Sequence, residues 1–277
     1  MKKLSKILLI MLVMAVSCQK EVPQTGTSVI TWSVSAPVEF TTKAAGEADE
    51  INVLWYGVYH KKEDGSYKYM SDMSAFVEVS DIDDIQVPVT LVNGQCYKIV
   101  FAAQHRYKAD EAVDYTYIYN IDESGIIKLN PAASVTRGEQ MDLFVYLDDE
   151  VGPVTGSENR QITLTRPVAQ ICFGTSSTTL PEKAGLSFSG APSSYDIFAG
   201  KASAQTTSFS FAEMNCSADE FTAEGKTYKA ILTFYTFGSA RIDCKADFRY
   251  EDGTTNSLDL SGVTTQTNYK TNILGNY

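Results

Sequence analysis

The sequence predicts an all-β protein, built as sandwiches or barrels, on three observations. Apolar and polar residues alternate with period two in one stretch after another, and Gly, Asn, Asp and Ser return between those stretches. No segment of comparable length carries an apolar period near 3.6 residues. A chain of 277 residues has room for one large domain or two ordinary ones.

The chain opens MKKLSK, so Lys2, Lys3 and Lys6 form a basic region ahead of the short apolar run 7–16, the pattern of a secretory signal. A spanning helix needs about 20 apolar residues, and this run stops at Ser17. In VMAVSCQK (13–20), the small Ala15 and Ser17 admit a signal peptidase. A cysteine immediately after the cut has a purpose where a thiol must carry diacylglycerol through a thioether. Residues 1–17 therefore read as a signal peptide and Cys18 as a lipidation site. Several acyl chains, at ~0.8 kcal/mol per buried CH₂, would make the membrane the first partner. Residues 18–28, CQKEVPQTGTS, read as a flexible tether.

Of 23 Lys and Arg, three leave with the signal, so 20 face 34 Asp and Glu, a charge of −14. Such a surface argues against nucleic acid and anionic lipid as partners and leaves calcium or basic proteins open.

Beyond the tether, Ile30, Trp32 and Val34 alternate with Thr31, Ser33 and Ser35. Likewise Tyr97, Ile99, Phe101 and Ala103 alternate with Lys98 and Gln104; both stretches are expected to be half-buried strands. Asp64-Gly65 lies between LWYGVYH and YKYM, and Asn93-Gly94 between IQVPVTLV and CYKIVFAA. Both dipeptides reach positive φ cheaply, so each is expected to close an antiparallel hairpin. DDEVGPVTGSENR mixes charge, Gly and Pro as an interdomain connection would, placing a boundary near residue 156 between units 29–155 and 156–277.

Catalytic constellations are thin. His60 and His105 are the only histidines and form no HExxH; GLSFSG (185–190) lacks the spacing of a nucleophile elbow. Gly225-Lys226-Thr227 ends like a phosphate loop, but Glu220 stands where its first glycine belongs. DIDD (81–84) and LDDE (147–150) read as solvated acidic faces and lack the spaced ligands of a calcium loop. No enzyme, cofactor or metal site is expected. In RIDCKADFRY, Cys244 shares a face with Ile242, Ala246, Phe248 and Tyr250, as a buried thiol would; its pairing with Cys216 stays open, as does the state of Cys96 and Cys172. YTYIYN sets Tyr115, Tyr117 and Tyr119 on one strand face. Cross-strand packing is the preferred reading of that row; with an exposed Trp55 it would serve as a stacking surface for glycan.

In QITLTRPVAQICFGT the apolar phase switches after Arg166-Pro167, because proline cannot donate to a ladder and the strand must bend there. The stretch resembles the L-x-R-P-x-A-Q-I pattern of fimbrillin-like surface lipoproteins of the Bacteroidota, through Leu164, Arg166, Pro167, Ala169, Gln170 and Ile171. NYKTNILGNY resembles the same group's N-Y-R-T-N-I-x-G segment through Asn268, Tyr269, Thr271, Asn272, Ile273 and Gly275, with Lys270 replacing arginine. Gly225-Lys226 and Tyr228 resemble its G-K-x-Y element, so the likeness spans 155–277.

The resemblance implies two tandem Greek-key, transthyretin-like β-sandwiches on a lipid-anchored protein of the outer membrane surface, related to pilus subunits. It implies structural roles for the motif, with Arg166, Tyr269 and Asn272 holding strand ends and contacts between units. Polymerising relatives lose their first strand after a cut, usually at arginine, and accept a strand from the next subunit. Here Lys20 and Lys43 are the only basic residues between Cys18 and Lys61. Lys43, in the polar TTKAAGEADE, is the candidate cleavage point, and the run 268–277 the candidate donor. An anchor, an accessory subunit, an adhesin or a free-standing surface lipoprotein fits alongside a shaft subunit. The alternative reading is a glycan-binding lipoprotein of a polysaccharide-uptake system.

Overall fold

The computed structural model describes residues 26–36, 50–80, 82, 85–108 and 114–277. Cys18, Lys43, the signal, most of the tether and Asp81, Asp83 and Asp84 of DIDD lie outside the described residues. The first twelve strands are β1 (Thr27–Ser35), β2 (Val53–Lys61), β3 (Tyr67–Tyr69), β4 (Ala75–Glu78), β5 (Ile85–Val92), β6 (Tyr97–Gln104), β7 (Arg106–Tyr107), β8 (Thr116–Tyr117), β9 (Tyr119–Ile121), β10 (Ile126–Leu129), β11 (Leu143–Val151) and β12 (Glu158–Thr163). The remaining ten are β13 (Val168–Thr175), β14 (Lys183–Pro192), β15 (Tyr195–Asp196), β16 (Lys201–Ala202), β17 (Thr206–Asn215), β18 (Asp219–Ala223), β19 (Lys226–Phe237), β20 (Ala240–Arg249), β21 (Thr255–Thr265) and β22 (Lys270–Gly275). The protein is all-β and built of β-sandwiches.

In the first sandwich a sheet ordered β12-β1-β5 packs on one ordered β11-β6-β2-β3, with β4 also on β2. The alternation of β1 works as read: Ile30, Trp32 and Val34 are buried against Phe101, Val87 and Leu91, and Trp32 meets Phe101 at 5.8 Å between ring centroids. Each such side chain contributes roughly 1.5–3 kcal/mol.

The expectation of a half-buried β6 is corrected. Tyr97, Ile99, Phe101 and Ala103 face this core, while Val100 and Ala102 on the other face belong to the larger core shared with the second half. A strand covered on both faces needs no polar phase. Gln104 is buried too, its amide exchanging hydrogen bonds with the Tyr119 backbone at 2.7 and 3.1 Å. On β2, Gly57 makes room for the Trp55 indole: a Cβ there would sit 2.3 Å from it.

Asp64-Gly65 closes the β2/β3 hairpin as expected. Asn93-Gly94 does not close one: β5 pairs with β1, and β6 with β2 and β11, so this turn carries the chain from one sheet to the other. Gly94 has the positive φ (+78°) the dipeptide supplies, but Asn93 N–H donates to Gly26 and Gly94 N–H to Val154, at 3.0 and 2.8 Å. Turn chemistry sets the bend and leaves the destination to packing.

The expected boundary near 156 falls inside the first sandwich by strand pairing. β12 runs parallel to β1, from Ile30 opposite Glu158 to Ser35 opposite Thr163, and Ile162 and Leu164 lie in the first core. Charge, Gly and Pro in 148–160 therefore mark the loop between β11 and β12. The chain leaves this sandwich at Thr165–Pro167, after Thr165 bridges Val145.

The second sandwich packs a sheet ordered β18-β19-β13-β22 on one ordered β17-β14-β20-β21, around Phe173, Phe188, Phe234 and Phe248. All eight residues of β13 are buried, so both phases after Pro167 are covered. A small sheet, β16-β15-β10-β9, joins strands of both halves, and Trp55, Tyr59, Leu143 and Val145 enter the same core as Val168 and Ile171. Shared core, rather than a flexible linker, connects the halves.

Candidate functional site

The first candidate surface is β1, which takes in Thr27 and Ser28 of the expected tether because both pair with β5. It lies between β5, antiparallel, and β12, parallel, so its loss would open a slot walled on both sides by ladder edges. A polar clamp holds it. The Trp32 indole N–H donates to Asp148 Oδ2 at 2.8 Å, and Arg160 Nη1 donates to both Asp148 oxygens at 3.0 and 2.8 Å. One carboxylate on β11 thus ties β1 and β12 to the opposite sheet. Of LDDE, Asp148 has this structural task, and Asp149 and Glu150 face solvent.

The second is the junction where the halves meet. Arg166 and Asp142 are both fully buried, with Arg166 Nε 2.8 and 3.1 Å and Nη2 2.7 Å from the carboxylate oxygens. The guanidinium also lies 4.4 Å from the Phe144 ring centroid. Burial pushes the Asp142 carboxyl above its ordinary range, against which Arg166 and the Leu143 amide favour the ionised form. Beside the pair, the 3-10 turn Gly138–Met141 lies on β19 so closely that a Cβ on Gly138 would fall 1.3 Å from the Thr233 carbonyl oxygen. Glu139 in that turn is buried, and burial raises its pKa. His105 and Arg137 hold Glu50 nearby: His105 Nδ1 is 2.6 Å from the Glu50 carbonyl, and Arg137 Nη1 is 3.0 Å from its carboxylate.

The residues of the two resembling segments are brought together. Leu164, Arg166, Pro167, Ala169, Gln170 and Ile171 are buried, and β13 runs parallel beside β22, Gln170 opposite Lys270 and Ile171 opposite Thr271. Gln170 N–H donates to the Tyr269 carbonyl at 3.0 Å, its side chain donates to the Tyr235 hydroxyl at 3.0 Å, and Thr271 donates to the Thr264 carbonyl at 3.1 Å. Tyr269 and Asn272 have exposed side chains, so the strand end is held through backbone, while Arg166 makes the contact between halves. Gly275 lies against the Tyr277 ring, with a Cβ there 3.0 Å from it. Gly225 sits in the turn joining β18 to β19 at φ +74°, a hairpin and not a phosphate cradle.

The tyrosine row is not one face. The strand breaks at Ile118; Tyr119 is buried at 3% exposure and donates to the Met141 carbonyl at 2.5 Å. Trp55, expected exposed, is 6% exposed. Tyr117 stacks instead on Phe76, at 4.7 Å between centroids, and Tyr115 carries the Arg106 guanidinium 3.8 Å from its centroid. Phe76 (48% exposed) and Tyr115 (43%) are the exposed members of this patch. Phe76 escapes a sequence reading because AFVE resembles any edge strand. Asp142 does too, although an acid wedged between Met141 and Leu143 is itself a signal of a buried partner.

Among the described residues Cys96, Cys172, Cys216 and Cys244 form no disulfide. Burial pushes the Cys216 thiol up to about 12 and the Cys244 thiol up to about 11, which keeps both protonated and unreactive. Among the described residues no three His, Cys, Asp or Glu side chains converge as metal ligands, and no helix is long and apolar enough to cross a membrane.

Fold and surfaces together define a β-sandwich protein whose buried charges clamp strands. The chain belongs to a family of unknown function, DUF6562, whose model matches residues 19–277. No curated protein matches it. Among solved structures it is similar to a candidate adhesin of Bacteroides ovatus, at 12% identity and TM-score 0.44, covering 91% of this chain and 93% of that one. It is also similar to the fimbrial anchor protein Mfa2 of Porphyromonas gingivalis, at 14% identity and TM-score 0.45, covering 86% and 83%. A third is a candidate polysaccharide-binding protein of Bacteroides thetaiotaomicron, at 13% identity and TM-score 0.45, covering 89% and 90%.

Proposed function

We propose that the protein is a non-enzymatic, lipid-anchored surface protein of the fimbrillin-like kind, acting as a pilus anchor, accessory subunit or adhesin at the outer membrane. The observation that carries this reading is the place of β1. The first described strand, β1, begins nine residues after Cys18 and is the middle strand of a three-stranded sheet, so a pull on a lipid anchor would be borne by the sandwich. The candidate donor run is seated on its own β13 through six paired residues, which favours an anchoring or accessory role over a shaft subunit. Other subunits would be reached through a slot opened by removal of β1, with a cut after Lys43 as the triggering step.

Two measurements test it. Protease shaving of intact cells should degrade the protein; resistance until the cells are permeabilised would overturn the surface role. Sequencing of mature protein from cells should find lipidated Cys18 at the N-terminus. A start at Ala44 with SDS-resistant ladders would instead make it a strand-exchanging subunit, and an unmodified Cys18 would remove the anchor.

A further inference from the structure

At one end of the second sandwich, the loop between β13 and β14, the turn between β20 and β21, and Tyr277 line an open hollow of about 960 Å³. That is near the upper end of the roughly 300–1,000 Å³ typical of small-molecule sites. Tyr250 and Tyr277 are the aromatic residues of its lining. The Tyr250 hydroxyl donates to the Tyr277 carbonyl, and the Tyr277 hydroxyl to the Ile273 carbonyl at 2.6 Å, so both are already satisfied. Tyr277 also stacks on Phe248, 5.1 Å between centroids, and meets Phe173 edge-on at 6.0 Å. These contacts hold the rings in place before anything binds.

The walls are fixed as well. Ser177 donates to the Thr179 carbonyl at 2.9 Å and accepts from the Thr179 amide at 3.2 Å. Asp252 accepts from the Thr254 amide and hydroxyl at 2.9 and 2.6 Å, bonds that hold its carboxyl below the ordinary range and keep it anionic. Between these pinned turns Thr178, Glu251 and Asn256 line the hollow with side chains that make no hydrogen bond among the described residues. They offer a hydroxyl, a carboxylate and an amide, which together accept and donate. No Lys, Arg or His is on the lining, and Leu180 is its one aliphatic side chain among the described residues.

We infer that this hollow is a binding site for a neutral oligosaccharide. Ring carbons of Tyr250 and Tyr277 suit the C–H faces of a sugar, and the uncommitted polar groups of Thr178, Glu251 and Asn256 suit its hydroxyls. The carboxylates of Glu251 and Asp252, with no cation beside them, repel uronic acids and sulfated sugars. The inference rests on the surface reading for access to polysaccharide, and not for binding itself.

The test is isothermal titration of the full chain, purified in a detergent without a sugar headgroup, with maltohexaose, cellohexaose, β-1,4-mannohexaose and, for contrast, pentagalacturonate. At least one neutral hexaose should bind saturably in the micromolar to millimolar range. Glu251→Ala and Asn256→Ala, both on exposed side chains and checked for unchanged unfolding midpoints, should each weaken it about tenfold, or roughly 1.4 kcal/mol. Phe76→Ala, on the patch of the other sandwich, should leave it unchanged. Absence of saturable binding by all three neutral hexaoses, tighter binding of pentagalacturonate, or affinity that survives both substitutions would overturn the inference. Because shaving of cells reads location independently, loss of this site and loss of the surface role give different results.

Discussion

Replacing Asp142 by alanine leaves the Arg166 guanidinium buried without the carboxylate that accepts its three hydrogen bonds of 2.7–3.1 Å. Both side chains have 0% exposure, so water cannot substitute without opening the junction. Removing one partner of such a pair costs about 3–5 kcal/mol, mostly the burden of the charge left behind. At about 2–4 °C per kcal/mol for a domain of this size class, the unfolding midpoint should fall by roughly 10 °C. The paired replacement Asp142→Leu with Arg166→Met removes both charges and should return to within about 1–2 kcal/mol of the parent, despite losing the Arg166 contact with Phe144. Urea denaturation followed by tryptophan fluorescence gives all corners of the cycle. A loss under about 1 kcal/mol for Asp142→Ala, or a double variant as unstable as the sum of the singles, would refute the claim that the pair is a desolvated clamp.

Gly138→Ala should destabilise by at least about 1–3 kcal/mol in the same assay, since its Cβ would meet the Thr233 backbone at 1.3 Å, whereas Gly156→Ala, with nothing within 4 Å, should be neutral. Glu139 binds its proton more tightly folded than unfolded because burial raises its pKa, so its contribution is favourable below the ordinary carboxylate range and is lost as pH rises through the folded value. Glu139→Gln should therefore raise the midpoint at pH 7 more than at pH 4, and an equal gain at both would contradict this. Thiol labelling of the native protein should reach half-exposed Cys96 before buried Cys244, which should react only on unfolding; equal rates would show that the β20 face is not closed. Cys18→Ala should release the protein from the membrane fraction or stall its processing, as followed by fractionation and mass spectrometry; continued membrane retention of mature chain would refute lipid anchoring.

What the sequence by itself determined is what depends on neighbours a few residues apart. Period two at Ile30, Trp32 and Val34 forces those side chains to one face of any strand, and Asp64-Gly65 reverses the chain wherever the flanking strands can meet. Pro167 ends one ladder and begins another because it has no N–H to give. Only the tertiary structure decided what depends on partners far along the chain. Asn93-Gly94 bends as its residues require, yet whether β6 returns to β5 or crosses to β2 was decided by which sheet could bury Ile99 and Phe101. β12 belongs to the first sandwich because β1 offers it a free edge, a fact no composition around residue 156 could carry. The tyrosines of 115–119 separate because a second core claims Tyr119 and leaves Tyr115 outside, and the hollow beside Tyr250 and Tyr277 exists only because turns about seventy residues apart close on the same end of one sandwich. Local spacing encodes direction, but burial is a property of the whole packed chain.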